Sequence, residues 1–263
     1  NPQGMLDWHG MSMQTMFFKE ILDKLGVNVQ VFKVGTYKSA VEPFIGTEMS
    51  DANREQMEVF TSEIWKEMLV DVSESRKISV EELNQLADTV TLLCETSFYL
   101  DEKLVDKVAY SDEIPQMICN MIDVDDEDDY NTITVDEMAS VASNKPKDDS
   151  GNIVAVYYAY GDIVNTPSSG ISSEEIASSV VIRDLEKLAD DDDVKAVVLR
   201  VNSGGGSAYA SEQIWHQVMN IKSKKPIVVS MGGMAASGGY YISCAADYIF
   251  AEPTTLTGSI GIF

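Results

Sequence analysis

A chain of 263 residues with 44% hydrophobic content is long enough for one large or two ordinary globular domains. Its formal net charge of −24 excludes nucleic acid or an anionic membrane surface as the main partner, because phosphates would be repelled. No apolar run reaches the length of a membrane span, and three widely spaced cysteines (Cys94, Cys119, Cys244) suit neither a zinc site nor a disulfide framework. They read as inert, mostly buried thiols. No signal peptide opens the sequence, which starts at Asn1-Pro2 and stops at Ile262-Phe263 in mid-pattern. It reads as part of something longer, with any targeting or anchoring segment outside it.

An amphipathic helix is predicted over Met13–Leu25. A half-buried strand follows over Val27–Val34, where Val27, Val29 and Val31 alternate with Asn28 and Gln30. From Ser50 a long helix is expected, with Met57, Phe60, Ile64, Met68 and Val72 lining one face. Ser79-Val80-Glu81-Glu82 is a capping box that opens a shorter helix. The acidic run Asp125–Asp129 lacks the alternating oxygen ligands and the glycine of an EF-hand, so it reads as a solvated loop.

Residues 144–151, Asn144 to Gly151, are polar and rich in turn formers, and make the best linker in the chain. Beyond them strands and helices alternate. Strands are expected at Ile153–Tyr158 (of buried type), Ala196–Val201, Ile227–Ser230 and Tyr248–Ala251. Helices are expected from the cap Ser172-Ser173-Glu174-Glu175 to Ala189, over Ser211–Lys222, and over Ala235–Ala246. This alternation implies an α/β fold whose parallel sheet is covered on both faces.

Two glycine-rich stretches sit past the carboxyl ends of strands, where such a sheet keeps its ligands. Asn202-Ser203-Gly204-Gly205-Gly206-Ser207 lacks the lysine and Ser/Thr pair of a phosphate loop and the spacing of a dinucleotide fingerprint. It reads either as a flexible turn or as a run of exposed N–H groups. In Ser230-Met231-Gly232-Gly233-Met234-Ala235-Ala236-Ser237-Gly238-Gly239-Tyr240, a strand gives way to a helix through a small-residue turn with Ser237 at its tip. A serine so placed suits a nucleophile beside an oxyanion hole, and equally an N-cap in a tightly packed turn.

A nucleophilic serine needs a base. Neither of the two histidines follows Ser237, His216 falls on the solvent side of its helix, and His9 lies in an unplaced stretch, so a histidine triad is disfavoured. A lysine can serve if desolvation lowers its pKa from about 10.4 to roughly 7–8. Lys33 and Lys38 stand clearest of other charges. Lys33 sits within a predicted strand; Lys38, past its end, is either a buried amine or a solvated loop lysine.

Gly35-Thr36-Tyr37-Lys38-Ser39-Ala40-Val41-Glu42-Pro43-Phe44, the Ser237 motif, and Thr255-Leu256-Thr257-Gly258-Ser259-Ile260-Gly261 closely resemble the S49 serine peptidases, the signal peptide peptidase A (protease IV) family. The resemblance spans most of the chain and is weakest over about 71–152. It implies a Ser/Lys dyad with Ser237 as nucleophile, Lys38 as general base and Ser259 orienting the lysine. The N–H groups of Gly238 and Gly205 would hold the oxyanion. It implies no metal or other cofactor. It also implies crotonase-like (Clp protease-like) α/β repeats with a parallel sheet flanked by helices. Residues 1–143 would be the back part of a first repeat bearing the base, and 152–263 the front part of a second bearing the nucleophile. Asn1–Gly10 weakly echoes Glu252–Gly261, in keeping with duplication. One departure stands out: the family's Ser-Pro-Gly-Gly is Ser203-Gly204-Gly205-Gly206 here.

The function implied is an endopeptidase degrading cleaved signal peptides and other extended apolar peptides. It would work as a homo-oligomer anchored to the inner membrane of a bacterial cell envelope through a segment outside this chain, with its catalytic part outside the cytoplasm. Two other readings share the fold: a crotonase-type acyl-thioester enzyme, which leaves Ser237 and Lys38 without roles, and a non-catalytic scaffold.

Overall fold

A computed structural model of the protein describes residues 18–126, 132–140, 151–168 and 174–261. The chain divides into two compact units, one of Asn1–Glu67 with Gly151–Phe263 and one of Met68–Ser150.

In the first unit, residues 18–24 are helical (α1), within the span predicted from periodicity; residues 13–17 lie outside the described ones. Residues 27–34, predicted as a strand, are not one. The backbone pairs with no strand among the described residues, and Phe32 and Val34 are exposed. Only Val29 and Val31 keep the partial burial that the alternation forecast. Alternation marks two faces of an extended chain but cannot supply a neighbour for its hydrogen bonds. A 3₁₀ turn (Ser39–Val41) and a short helix α2 (Glu42–Ile45) come next.

Helix α3 (Asp51–Arg76) matches the long helix predicted from Ser50. Met57, Phe60 and Ile64 are half-buried along its length, but near the end Leu69 is buried and Met68 is exposed. In the second unit, α4 (Val80–Asp88) opens on the predicted capping box: the Ser79 hydroxyl accepts from the Glu82 N–H, and the Glu82 carboxylate accepts from the Ser79 N–H. A 3₁₀ turn (Thr91–Leu93) and helices α5 (Thr96–Asp101), α6 (Ile114–Ile122) and α7 (Val135–Ser140) follow among the described residues of this unit. Residues 127–131 of the acidic region and most of the predicted linker lie outside the described residues.

The rest of the first unit is α/β. Strands β1 (Ile153–Tyr160), β4 (Val194–Ser203), β5 (Ile227–Ala236) and β6 (Tyr248–Phe250) lie in the order β1-β4-β5-β6, and β7 (Leu256–Gly258) also pairs with β5. All of these pairs are parallel. A second, two-stranded parallel sheet joins β2 (Asp162–Val164) to β3 (Glu175–Ala177). Helices α8 (Ser178–Asp190), α9 (Ala208–Lys222) and α10 (Gly238–Ser243) alternate with the strands.

The apolar runs explain the core. Val197, Leu199 and Val201 of β4 point one way with Val229 of β5, and pack with Leu185 of α8 and Ile214, Val218 and Ile221 of α9. Each such side chain contributes about 1.5–3 kcal/mol on full burial. The opposite face differs from the double covering expected. Val154, Val156 and Tyr158 of β1 pair in register with Ala196, Val198 and Arg200 of β4, and these six are exposed or half-buried. Among the described residues, the predicted buried strand at Ile153–Tyr158 is therefore an edge strand. A long apolar run reports strand propensity, whereas burial depends on where the sheet order places it.

Three other boundaries move for non-local reasons. Glu175–Ala177, predicted inside a capped helix, forms β3 because Asp162–Val164 offers it a ladder, so α8 begins at Ser178. Ser172 and Ser173 lie outside the described residues. β5 runs through Gly232 and Gly233 to Ala236, because β4 and then β7 give it partners beyond the predicted end at Ser230. Consequently α10 is confined to Gly238–Ser243. Of the cysteines, Cys119 is buried but Cys244 is exposed, so the thiols are not mostly buried.

Candidate active site

Ser237 occupies a single-residue turn between β5 and α10, with φ 50° and ψ −119°. For a residue with a Cβ, such a conformation costs on the order of 1–3 kcal/mol and persists only where its surroundings fix it. Two bonds fix it here. Its N–H donates to the Gly258 carbonyl at 2.9 Å, and its carbonyl accepts from the Tyr241 N–H at 2.9 Å. Although Ser237 stands at the N-cap position, its hydroxyl makes no capping bond. The N-cap alternative therefore does not account for the side chain.

The glycine loop after β4 lies against this turn. Gly205 has φ +104°, and a Cβ on it would sit 2.7 Å from the Gly238 nitrogen and 2.8 Å from the Ser237 Cβ. A Cβ on Gly238 would lie 2.4 Å from Ser211 Oγ, and one on Gly239 would lie 2.6 Å from the Ser203 carbonyl oxygen. Side chains at these positions would push the two segments apart.

The loop is not a free turn. The Ile163 N–H of β2 donates to Gly205 O at 2.8 Å, and the Ser207 N–H donates to Ile163 O at 2.8 Å. The Gly205 N–H donates to Ser203 Oγ at 3.1 Å, and that hydroxyl donates to Gly161 O at 2.6 Å. Gly205 thus has its N–H occupied. Gly238 begins α10, and an N–H at a helix start has no intrahelical acceptor.

Lys38 precedes the 3₁₀ turn and is half-buried. Its Nζ donates to the Ile260 carbonyl, and a Cβ on Gly261 would lie 3.4 Å from that nitrogen. Ser259, exposed and itself at φ 50°, separates Gly258, which holds the Ser237 N–H, from Ile260, which holds the Lys38 amine. The chain therefore brings Lys38, Ser237 and Ser259 to one short segment. Among the described residues, the hydrogen bond of the Lys38 amine goes to that carbonyl and not to a hydroxyl of Ser237 or Ser259.

Sequence reasoning missed the groups that hold the lysine segment. The buried Glu42 carboxylate accepts from Ser50 Oγ and from Asn53 Nδ2, the latter at 2.9 Å. Tyr37 donates its hydroxyl to Glu55 at 2.9 Å, and this bond to a carboxylate raises the phenol pKa. No fixed spacing in the sequence marks either contact. Of the other candidates, His216 is exposed on α9, as predicted, and Lys33 is exposed on unpaired backbone. His9 lies outside the described residues. A cavity of about 430 Å³ beside β1 and β3, lined by Tyr157, Tyr160 and Glu174 among others, is lined by none of Ser237, Lys38, Ser259 or Gly205.

An α/β protein with a strained serine past the carboxyl end of a parallel sheet belongs to the broad class in which serine hydrolases display their nucleophiles. The profile of peptidase family S49 matches residues 1–124 and 220–263. Protease 4 of Salmonella typhi is 43% identical over 100% of this chain and 43% of its own length. Protease 4 of Haemophilus influenzae is 40% identical over 100% of this chain and 44% of its length, and the chloroplastic serine protease SPPA of Arabidopsis thaliana is 30% identical over 97% and 38%. This chain belongs to peptidase family S49. It spans less than half the length of these curated relatives. A solved ClpP1 mutant from Listeria monocytogenes is 24% identical over 38% of this chain and 52% of that one, with a TM-score of 0.29, too small a likeness to bear on the fold.

Proposed function

We propose that this chain carries the catalytic centre of a serine endopeptidase acting on extended apolar peptides, released signal peptides among them. The backbone of Ser237 carries the reading: a half-buried, non-glycine residue held at φ 50° and ψ −119°, whose hydroxyl caps nothing. Strain kept at a strand-to-helix turn is the means by which a serine nucleophile is displayed. Membership of family S49 and the relatives named Protease 4 support it.

In this reading Ser237 Oγ bonds to the scissile carbonyl carbon as its proton passes to the neutral amine of Lys38. Negative charge on the carbonyl oxygen faces the N–H of Gly238, joined by that of Gly205 once Ser203 releases it. Collapse breaks the C–N bond, and the Lys38 ammonium returns its proton to the leaving amine. Water, deprotonated by the same amine, then bonds to the acyl carbon, the bond from that carbon to Ser237 Oγ breaks, and the Lys38 ammonium returns the proton to Ser237 Oγ. A neutral amine has two N–H bonds and one lone pair. Ile260 O takes one N–H, Ser259 Oγ is assigned the second, and the lone pair is left for Ser237.

The base then belongs to a first repeat (1–143) and the nucleophile to a second (152–263), joined through 144–151. No described helix is long and apolar enough to cross a membrane. The reading also includes attachment to the bacterial inner membrane with the site outside the cytoplasm, and assembly to a homo-oligomer. The test is labelling with a fluorophosphonate probe followed by peptide mapping. Adduct on Ser237 is expected; an active preparation with Ser237 unmodified would overturn the assignment.

A further inference from the structure

Strand β5 changes partners midway. Its first half pairs with β6, from Val228 with Tyr248 to Ser230 with Phe250. Its second half pairs with β7, from Met234 with Leu256 to Ala236 with Gly258. Between these halves the register with β4 jumps: Val201 faces Met231, but Ser203 faces Ala235. Two steps on β4 are thus matched by four on β5, and the extra residues bulge around Gly232 and Gly233. A bulge bends its strand and re-aims the residues beyond it. Here the residue re-aimed is Ser237.

Three side chains hold the bulge. Asn202, the β4 residue inside the register jump, accepts the Met234 N–H on its Oδ1 at 3.0 Å. Its side chain fills the space beside Gly232, where a Cβ would lie 2.9 Å from Oδ1. On the other side the Thr255 hydroxyl donates to Gly232 O at 2.8 Å, and the Thr257 hydroxyl donates to Ala235 O at 2.9 Å. The main-chain bond from Ser237 N–H to Gly258 O comes next along the same pair of strands.

We propose that Asn202 is a positioning residue for Ser237, acting with Thr255 and Thr257 as a clamp on the β5 bulge. The inference rests on Ser237 being the nucleophile. Asn202 itself is exposed and lies outside the hydrophobic core, so its substitution acts on the aim of the strand more than on the stability of the fold. Without its acceptor the Met234 N–H is free to find another, and the bulge can relax. A displacement of about 1 Å in a reacting group is enough to lower turnover about 100-fold.

The experiment uses the full chain and an extended peptide substrate, with fluorophosphonate labelling of Ser237 and amide hydrogen exchange at Met234 as parallel readouts. Asn202→Ala is expected to lower kcat and the labelling rate together, by about 10-fold to 100-fold, with KM little changed. Asn202→Asp keeps an acceptor at the same place and is expected to restore both to within about threefold. Thr257→Val, similar in shape but without the hydroxyl, is expected to show the kcat loss at unchanged KM, and it decides the matter if Asn202→Ala fails to fold. The clamp is overturned if Asn202→Ala labels and turns over like the parent, or if Asp does not rescue the loss. If the parent itself is not labelled at Ser237, the nucleophile reading fails separately. Met234 exchange then still tests the clamp: faster in Asn202→Ala supports it, and unchanged exchange overturns it.

Discussion

The N–H of Ser237 donates to the carbonyl of Gly258, and two residues further on the carbonyl of Ile260 receives the amine of Lys38. The proposed nucleophile and base, far apart in sequence, are thus fastened to the same short segment.

Removing either end of the proposed dyad tests this directly. Ser237→Ala and Lys38→Ala are each expected to lower kcat by at least about 10³-fold, and the double variant should lose little more, because groups acting as a unit are strongly non-additive. Peptide hydrolysis under saturating substrate measures it. Independent, multiplicative losses would show that the two residues do not share a step.

Ser259 lies between the two anchoring carbonyls at a positive φ that a residue with a Cβ seldom adopts. If its hydroxyl accepts an N–H of the amine, it serves the charged ammonium more strongly than the neutral base, so Ser259→Ala removes a partner that favours the protonated form. The acidic limb of the kcat/KM profile should then move to lower pH, with the alkaline plateau largely kept. An unmoved limb would leave Ser259 a turn residue alone.

The capping box gives a pH prediction in the second unit. The Glu82 carboxyl pKa is lowered, chiefly by the backbone N–H of Ser79 and then by its hydroxyl. A depressed folded pKa means that the ionised form supports the fold. The contribution is present above the ordinary carboxylate range and disappears as pH falls through the folded value. Amide protection at the start of α4, taken relative to the intrinsic exchange rate at each pH, should fall on acidification, and Glu82→Gln should flatten that dependence. Equal acid sensitivity in both proteins would place the effect elsewhere.

How much the sequence discloses depends on how local each cause is. The Ser79 cap spans four residues, and the buried face of α9 repeats every turn, so both are legible. Residues 27–34 and Ile153–Tyr158 carry good strand patterns, yet whether a strand is paired or buried is decided by neighbours the pattern does not name. Gly232-Gly233 signals a turn locally, and only the ladders to β4 and β7 reveal it as a bulge in a longer strand. At the site, the small residues around Ser237 announce a strand-to-helix turn. The Lys38 contact with the Ile260 carbonyl crosses 222 positions, and no local pattern marks it; motif resemblance pointed to Lys38 but named Ser237 and Ser259 as its partners. Nothing in Ser203-Gly204-Gly205 indicates that the first hydroxyl occupies the third residue's N–H.

That occupancy yields the last prediction. Ser203 is buried, donates to Gly161 O at 2.6 Å and accepts from the Gly205 N–H at 3.1 Å. For Gly205 to meet an oxyanion, this second bond must open as charge develops on the substrate. A hydrogen bond of this kind is worth about 0.5–1.5 kcal/mol net, so its loss subtracts from the donor's contribution. Ser203→Ala removes the competitor and should tighten binding of a peptide boronate, a tetrahedral mimic, by about 2-fold to 10-fold relative to any change in KM. The same variant leaves Gly161 O without its donor and should lower unfolding stability by about 1–3 kcal/mol, measurable in denaturant. Comparing boronate affinity with KM separates the effects, since a loosened fold weakens both. Weaker boronate binding at unchanged KM would mean that Ser203 shapes the loop for catalysis, leaving Gly238 as the donor that carries the charge.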